Sequence, residues 1–232
     1  MANVLMIMSA ADHWTLKDGT EHPTGFWAEE FVVPYQVFTE AGWPVTVATP
    51  GGREPTVDQA SLAEGAGDPE TLEKVKAGLD RLAGVLESPS DLASVDHDDF
   101  DVVFYPGGHG PLQDLAADAA SGVILAERVR GGKTVALLCH APAAVLAASG
   151  DAASSPFDGY RMTGFSNVEE EQVGLAENAP WLLEDRLVEL GAEYSTASEP
   201  WGSHVVVDRG VYTGQNPQSS EELARRIVSD LG

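Results

Sequence analysis

Short apolar runs alternate with amphipathic segments along most of this chain. Four apolar runs are too short to be buried helices and predict buried strands, at residues 3–8, 44–48, 100–105 and 134–138. Shorter strands are predicted at residues 160–164, 194–197, 205–207 and 211–213. Helical periodicity predicts helices at residues 26–41, 69–83, 121–130, 140–148, 180–190 and 219–231. Strands that alternate with helices predict an α/β fold with a mostly parallel central sheet and helices on both faces.

Local signals add detail to three of these segments. Pro34 lies inside the first helix and predicts a kink or a restart there. Ser219 is predicted to cap the last helix, with Glu222 completing a capping box. Residues 50–95 are rich in Gly, Pro and Asp and are long for a simple connection. We therefore predict a single domain over residues 1–232 with a helical insertion at about 50–95.

Composition and charge exclude several classes of protein. The 37 acidic and 13 basic residues give a net charge of -24, which disfavours binding to nucleic acid or to an anionic membrane surface. No apolar run approaches the ~20 residues of a membrane helix, and the run at 3–8 is too short for a signal peptide. The single cysteine excludes an intramolecular disulfide and fits a cytoplasmic, reducing compartment. The composition therefore fits a protein of the cytoplasm and disfavours partners with a negatively charged surface.

Cys139 is the strongest candidate for chemistry. It follows the apolar strand at 134–138, and His140 begins a predicted helix directly after it. Ligands of parallel α/β sheets bind outside the carboxyl ends of the strands. A helix N-terminus carries about half a positive charge and free N–H groups, and both stabilise a thiolate. A buried, inert cysteine is the alternative, but a Cys-His pair at a strand-to-helix junction favours a nucleophile.

A glycine loop and two acidic clusters could complete such a site. Gly107 and Gly108 follow the strand at 100–105, and their N–H groups could hold a developing oxyanion. One carboxylate of the pair Glu29 and Glu30 is expected to point inward and to move protons. The run of glutamates at residues 169–171 is either a solvated surface or the source of one carboxylate that orients His140.

The histidines do not predict a metal site. Besides His140, the chain has five histidines, and no two of them have the spacing of metal ligands such as H-x-x-x-H; they are His13, His22, His97, His109 and His204. A structural zinc site is also disfavoured because there is no second cysteine. The glycine loop also lacks the pattern of a nucleotide-binding loop. We therefore predict an enzyme without metal or other cofactor.

Six segments in order resemble the ThiJ/PfpI branch of the class I glutamine amidotransferase-like superfamily, and within it the HchA-like group of glyoxalase III and chaperone-type proteins. They are TGFWAEE at 24–30, YPGGHGP at 105–111, CHAP at 139–142, TGFSNVEE at 163–170, EPW at 199–201 and TGQNP at 213–217. The resemblance implies a flavodoxin-like three-layer α/β sandwich, often a homodimer. One departure concerns His204, which is followed by Val205 and Val206 and not by the His-x-Glu of amidotransferases, so glutamine hydrolysis is in doubt.

The resemblance also implies roles for individual residues. Cys139 matches the family's nucleophile, His140 its base and Glu30 its acidic pocket residue. The acid of the triad falls on Glu170, with Glu169 one position away. The oxyanion donors would be the N–H groups of Gly108 and His140.

Three functions follow as hypotheses. The first is a cofactor-independent glyoxalase, a lactate dehydratase-type lyase that converts a 2-oxoaldehyde such as methylglyoxal to a 2-hydroxy acid such as lactate through a hemithioacetal on Cys139. The second is another cysteine enzyme, a hydrolase, deglycase or hydratase of a glycated amine, a peptide or an isocyanide. The third is a stress chaperone whose cysteine senses redox conditions.

Overall fold

Six of the eight predicted strands join a central sheet in the computed structural model, which describes residues 1–149 and 155–232, whereas the strands predicted at 160–164 and 194–197 form a separate two-stranded sheet. The strands in these residues are β1 Val4–Ile7, β2 His13–Thr15, β3 Glu21–Pro23, β4 Val45–Thr49, β5 Ser90–Asp91, β6 Val102–Tyr105, β7 Thr134–Leu138, β8 Arg161–Met162, β9 Glu193–Tyr194, β10 Val205–Asp208 and β11 Val211–Gly214. The helices are α1 Ala28–Glu40, α2 Pro69–Leu86, α3 Gly110–Gln113, α4 Ala119–Arg130, α5 Val145–Ser149, α6 Asn167–Val173, α7 Leu183–Glu189 and α8 Ser220–Leu231.

The central sheet of the described residues has seven strands in the order β10-β11-β7-β6-β1-β4-β5. Every neighbouring pair is parallel except β10 with β11. The chain moves from β1 towards β4 on one side and from β6 towards β7 on the other, so the connections reverse direction between β1 and β6. This reversal is the topological switch point at which α/β sheets bind ligands.

Helices cover both faces of the sheet. Parallel crossovers are right-handed, so α1, which connects β1 to β4, and α4, which connects β6 to β7, must lie on opposite faces. α1 packs against α2 and α8, and α4 packs against α5. Because both faces are covered, every residue of β1 and β6 is buried. The prediction of a mostly parallel, doubly covered α/β sheet is confirmed.

The segment at 50–95 contributes both a helix and a strand. α2 packs against α1, and β5 pairs with β4 at the edge of the central sheet. Part of the predicted insertion therefore extends the sheet. Among the described residues, no helix has both the length and the apolar character needed to cross a membrane.

Two local predictions fail in whole or in part. α1 continues through Pro34 as one helix, so the predicted restart does not occur. The side chain of Ser219 does not cap α8, because its hydroxyl instead contacts Asn216 and the backbone of His204. The carboxylate of Glu222 accepts a hydrogen bond from Ser203, so no capping box forms. Ser219 and Glu222 thus form tertiary contacts with residues outside α8, which the local sequence does not predict.

Candidate active site

The candidate residues converge at the switch point of the sheet. Cys139 directly follows β7, the loop with Gly107 and Gly108 follows β6, and Glu30 lies in the first turn of α1. The carboxyl ends of these parallel strands lie at one edge of the sheet, which brings residues far apart in the chain together.

Cys139 lies in a strained turn. Its φ is +59°, in the left-handed region that costs a non-glycine residue about 1–2 kcal/mol. Its N–H donates to the Gly214 carbonyl at 2.8 Å, and its carbonyl accepts from the Phe165 N–H at 2.9 Å. A short 3-10 turn, Ala141–Ala144, leads from it into α5. Backbone bonds to two neighbouring segments thus hold the turn that presents the side chain.

The thiol of Cys139 is protonated at rest. The residue is 3% exposed, and its Sγ lies 3.2 Å from Nδ1 of His140. Burial raises the pKa of Cys139 well above its ordinary value, and the neighbouring Glu30 carboxyl acts in the same direction. A hydrogen bond from the Gly108 N–H opposes them without prevailing. The sequence predicts that the helix N-terminus stabilises a thiolate, but here the desolvation of the charge is the larger effect and favours the thiol.

Glu30, rather than Glu29, faces the cysteine. Glu30 is fully buried, contacts the Cys139 thiol and accepts a hydrogen bond from the Gly107 N–H at 2.8 Å. Burial raises the pKa of Glu30 to about 8, so this carboxyl is protonated at neutral pH. Glu29 is half-buried beside Asp68 on the α2 side, where burial, followed by the charge of Asp68, raises its pKa to about 7.

The two loop glycines have different tasks. The Gly107 N–H is engaged by Glu30, so it is not free to bind an oxyanion as the sequence suggested. The Gly108 N–H points to the sulfur, and Gly108 has a φ of +89°. A side chain at Gly107 would meet the Leu138 carbonyl and, at 2.8 Å, the His140 nitrogen. The loop therefore lies in close contact with the backbone at the cysteine.

Glu170 connects two histidines. Its Oε2 lies 2.8 Å from His140 Nε2, and its Oε1 lies 2.9 Å from His109 Nε2. Burial alone would raise the pKa of Glu170, but the two histidines outweigh it and hold the pKa below its usual range. Burial, followed by the charge of His109, lowers the pKa of His140 to about 4. A neutral His140 that donates Nε2–H to ionised Glu170 leaves the Nδ1 lone pair facing the thiol of Cys139.

Glu169 is buried but does not contact His140. Its Oε2 accepts from both the backbone N–H and the hydroxyl of Ser166 in a capping box at the start of α6, and from Gln215. Its Oε1 accepts from the Trp201 N–H at 2.9 Å and from Asn216. Glu169 thus ties three segments together behind the site, and the geometry favours Glu170 as the partner of His140.

Residues that sequence reasoning did not assign to the site surround His140. His109 lies 4.0 Å from it between ring centroids, Phe165 lies 4.3 Å away, and Trp14 stacks on the far side of His109 at 5.5 Å. Trp201 contacts Phe165 at 5.5 Å. The spacing of His109 along the chain does not predict a metal ligand and says nothing else of its role. Its position directly after Gly107-Gly108, at the end of a buried strand, is the sequence signal that points to the site.

The same cluster contains the atoms that could hold a metal ion. One donor atom each of His109, His140 and Glu170 lies within 4.8 Å of the others. This juxtaposition comes from three separate segments, so no sequence spacing reveals it. Both histidine nitrogens already lie at hydrogen-bond distance from the carboxylate, an arrangement complete without a metal.

Comparisons with known proteins identify the family of the chain. The chain matches the DJ-1/PfpI family over residues 23–230. It is 28% identical over 241 aligned positions to a protein/nucleic acid deglycase HchA of Staphylococcus aureus, covering 98% of this chain and 79% of the relative.

Two solved structures share the fold. The Rapid Encystment Protein of Francisella tularensis is 30% identical with a TM-score of 0.86, and the match covers 100% of both chains. Glyoxalase III of Candida albicans is 22% identical with a TM-score of 0.83, covering 98% of this chain and 96% of that one. The match over residues 23–230 establishes that the chain belongs to the DJ-1/PfpI family.

Proposed function

We propose that this protein is a cofactor-independent glyoxalase that converts a 2-oxoaldehyde such as methylglyoxal to a 2-hydroxy acid such as lactate. One observation carries the proposal. The Cys139 thiol lies between a neutral imidazole, with His140 Nδ1 at 3.2 Å, and the Glu30 carboxyl, whose pKa burial raises to about 8. A nucleophile with a base on one side and a proton donor on the other is what this isomerisation needs.

The first step forms a hemithioacetal. His140 Nδ1 takes the thiol proton, and the sulfur of Cys139 attacks the aldehyde carbon C1. The oxygen on C1 receives the proton of Glu30, with the Gly108 N–H as a further donor. Glu170 stabilises the imidazolium that forms, since its carboxylate accepts from Nε2 at 2.8 Å.

The second step moves hydrogen from C1 to C2. Glu30, now a carboxylate, takes the C1 proton and delivers it to C2 through an enediol, while the hydroxyl proton on the C1 oxygen passes to the C2 oxygen. C1 is thereby oxidised to a thioester and C2 is reduced to an alcohol. A pKa of about 8 suits a group that must both give and take a proton near neutral pH. Water then hydrolyses the thioester: one water proton goes to the Glu30 carboxylate, and His140 returns its proton to the sulfur. One water is consumed, and no external oxidant or reductant is needed.

The test is production of lactate from methylglyoxal by purified protein without glutathione and in the presence of a metal chelator. We expect turnover by the wild type and a loss of at least about a thousandfold in Cys139→Ser and Cys139→Ala. Gly84→Ala, at an open position in α2, is the matched control and should keep full activity. No lactate from the wild type would refute the function, and an undiminished rate in Cys139→Ala would refute the mechanism.

Reaction in D2O tests the proton route. We expect solvent deuterium at C2 of at least part of the lactate, because the Glu30 proton exchanges with solvent. Complete retention of the substrate hydrogen at C2 would contradict a proton on Glu30 that exchanges with solvent.

A second candidate is removal of carbonyl adducts from amines or thiols, suggested by the name of the Staphylococcus aureus relative. The same cysteine would attack the adduct carbon and expel the amine. Direct action on nucleic acid is disfavoured by the net charge of -24.

Kinetics with preformed adducts of methylglyoxal and N-acetylarginine separate the two functions. A glyoxalase can act no faster than the adduct releases free methylglyoxal, whereas a deglycase exceeds that rate. A scavenger that removes free methylglyoxal should abolish lactate formation if the first function is correct. Lactate that forms despite the scavenger would favour the deglycase.

We further propose that the protein acts in the cytoplasm as a homodimer. A sole, reactive cysteine is best preserved in a reducing compartment. Light scattering on the purified protein tests the dimer, and a monomer mass would contradict it.

A further inference from the structure

His109 occupies a position that the proposed mechanism does not use. It is 7% exposed, it follows Gly107-Gly108, and its Nε2 lies 2.9 Å from Oε1 of Glu170. The other oxygen of the same carboxylate pairs with His140. One buried carboxylate therefore serves two imidazoles.

The ring of His109 is fixed by packing. Trp14 stacks on it at 5.5 Å with planes 30° apart, and His140 lies at 4.0 Å with planes 38° apart. Phe165 meets it edge-on at 6.2 Å. A ring held on three sides can present its N–H to Glu170 in one direction only.

We propose that His109 is a positioning residue that fixes the Glu170 carboxylate and takes part of its charge, so that His140 feels only the remainder. This rests on the proposed function, in which His140 receives the thiol proton. An ionised carboxylate oxygen that accepts a strong hydrogen bond holds less charge for its second partner. His109 thereby limits how strongly His140 attracts the proton of Cys139.

The groups facing His140 are few, so the effect can be isolated. They are Cys139 beside it, His109 from the β6 loop and Glu170 from α6, and the charge of Glu169 acts on His140 without contact. Glu30 faces Cys139 from α1 on the other side. Glu169 is engaged by its own donors, which leaves the His109–Glu170 bond as the contact to alter.

Two substitutions separate the hydrogen bond from the ring. His109→Phe keeps an aromatic ring for Trp14 and removes the N–H. His109→Gln removes the ring and keeps a donor, since the Gln Nε2 occupies about the place of the His Nε2. His109→Asn places its amide too close to the backbone to reach Glu170 and replaces His109→Phe if that variant does not fold. Thermal melting is recorded for each variant.

The readout is the rate of alkylation of Cys139 by iodoacetamide against pH, which is unambiguous because the chain has one cysteine. We expect the pH at which the alkylation rate reaches half its maximum, the midpoint, to fall by about one unit in His109→Phe, since His140 then takes the thiol proton more readily. His109→Gln should keep the wild-type midpoint. An unchanged or higher midpoint in His109→Phe, or a shift in His109→Gln equal to that in His109→Phe, would overturn the proposal.

A double-mutant cycle tests whether the effect passes through Glu170. In a Glu170→Gln background, His109→Phe should cause no further shift, because the shared carboxylate is gone. A full additional shift would show that His109 acts by another route and would overturn the proposal. Alkylation does not depend on methylglyoxal turnover, so this result stands apart from the success or failure of the proposed function.

Discussion

Two adjacent carboxylates have opposite surroundings. Glu170 has two histidine partners and lies at the reacting end of the site, whereas Glu169 accepts only from neutral amides and a hydroxyl. Glu170 therefore places a negative charge beside the base His140. Glu169 instead joins α6 to the segments of its hydrogen-bond donors.

Replacing each with glutamine should therefore have different effects. We expect Glu170→Gln to lower kcat by about a hundredfold with a small change in Tm, because His140 loses the carboxylate that stabilises its charged form. We expect Glu169→Gln to cost about 1–3 kcal/mol of stability, since the new NH2 faces the amide donors of Gln215 or Asn216. Kinetics and urea denaturation of both variants check this, and the reverse pattern would contradict the assignment.

At the scale of elements, the β6 loop places the site. Gly107 gives its N–H to Glu30 and lies against the backbone at Leu138 and His140. The helix α1 thereby joins the ends of β6 and β7 through one buried carboxyl. Without this contact, Glu30 would have no fixed position relative to the sulfur.

Gly107→Ala tests this contact. The φ of Gly107 is not positive, so alanine causes no backbone strain there. The added methyl group instead clashes with the Leu138 carbonyl and lies 2.8 Å from Glu30 Oε2. We expect a loss of about 1–3 kcal/mol of stability and of most activity. The control, Gly84→Ala in α2, has nothing within 4 Å and should gain about 0.5–1 kcal/mol. Equal behaviour of the two variants in denaturation would contradict the close packing.

Across the whole molecule, one buried and one half-buried carboxyl make the stability depend on pH. Burial raises the pKa of Glu30 to about 8 and of Glu29 to about 7, so the folded protein holds protons that the unfolded chain releases above about pH 4.5. Stability from these groups is complete below pH 4.5 and is lost as pH rises towards 8. Glu170, with a lowered pKa, acts in the opposite sense and only at acid pH.

Glu30→Gln should remove most of this dependence. As pH rises from 5 to 9, we expect the free energy of unfolding of the variant to increase relative to that of the wild type by on the order of a few kcal/mol. The control is exposed Glu21→Gln, which should follow the wild type. Urea denaturation at several pH values checks the difference, and parallel curves for Glu30→Gln and the wild type would contradict a protonated Glu30.

The sequence by itself determined the elements that depend on local pattern. The apolar runs at 3–8, 100–105 and 134–138 became β1, β6 and β7 because a fully covered parallel strand needs an unbroken apolar segment. The junction of strand and helix at Cys139 could be predicted because the apolar run at 134–138 ends directly before it. The resemblance to family motifs predicted the site residues, and in the fold Cys139 contacts both His140 and Glu30.

Only the tertiary structure decided what depends on distant partners. Ser219 lost its predicted cap to contacts with Asn216 and His204, and α6 was not predicted at all. The choice of Glu170 over Glu169, and the addition of His109, rest on which oxygen faces which ring. The protonation of Cys139 likewise follows from burial. These properties depend on solvent exclusion and on atoms brought together from separate segments, and local sequence specifies neither.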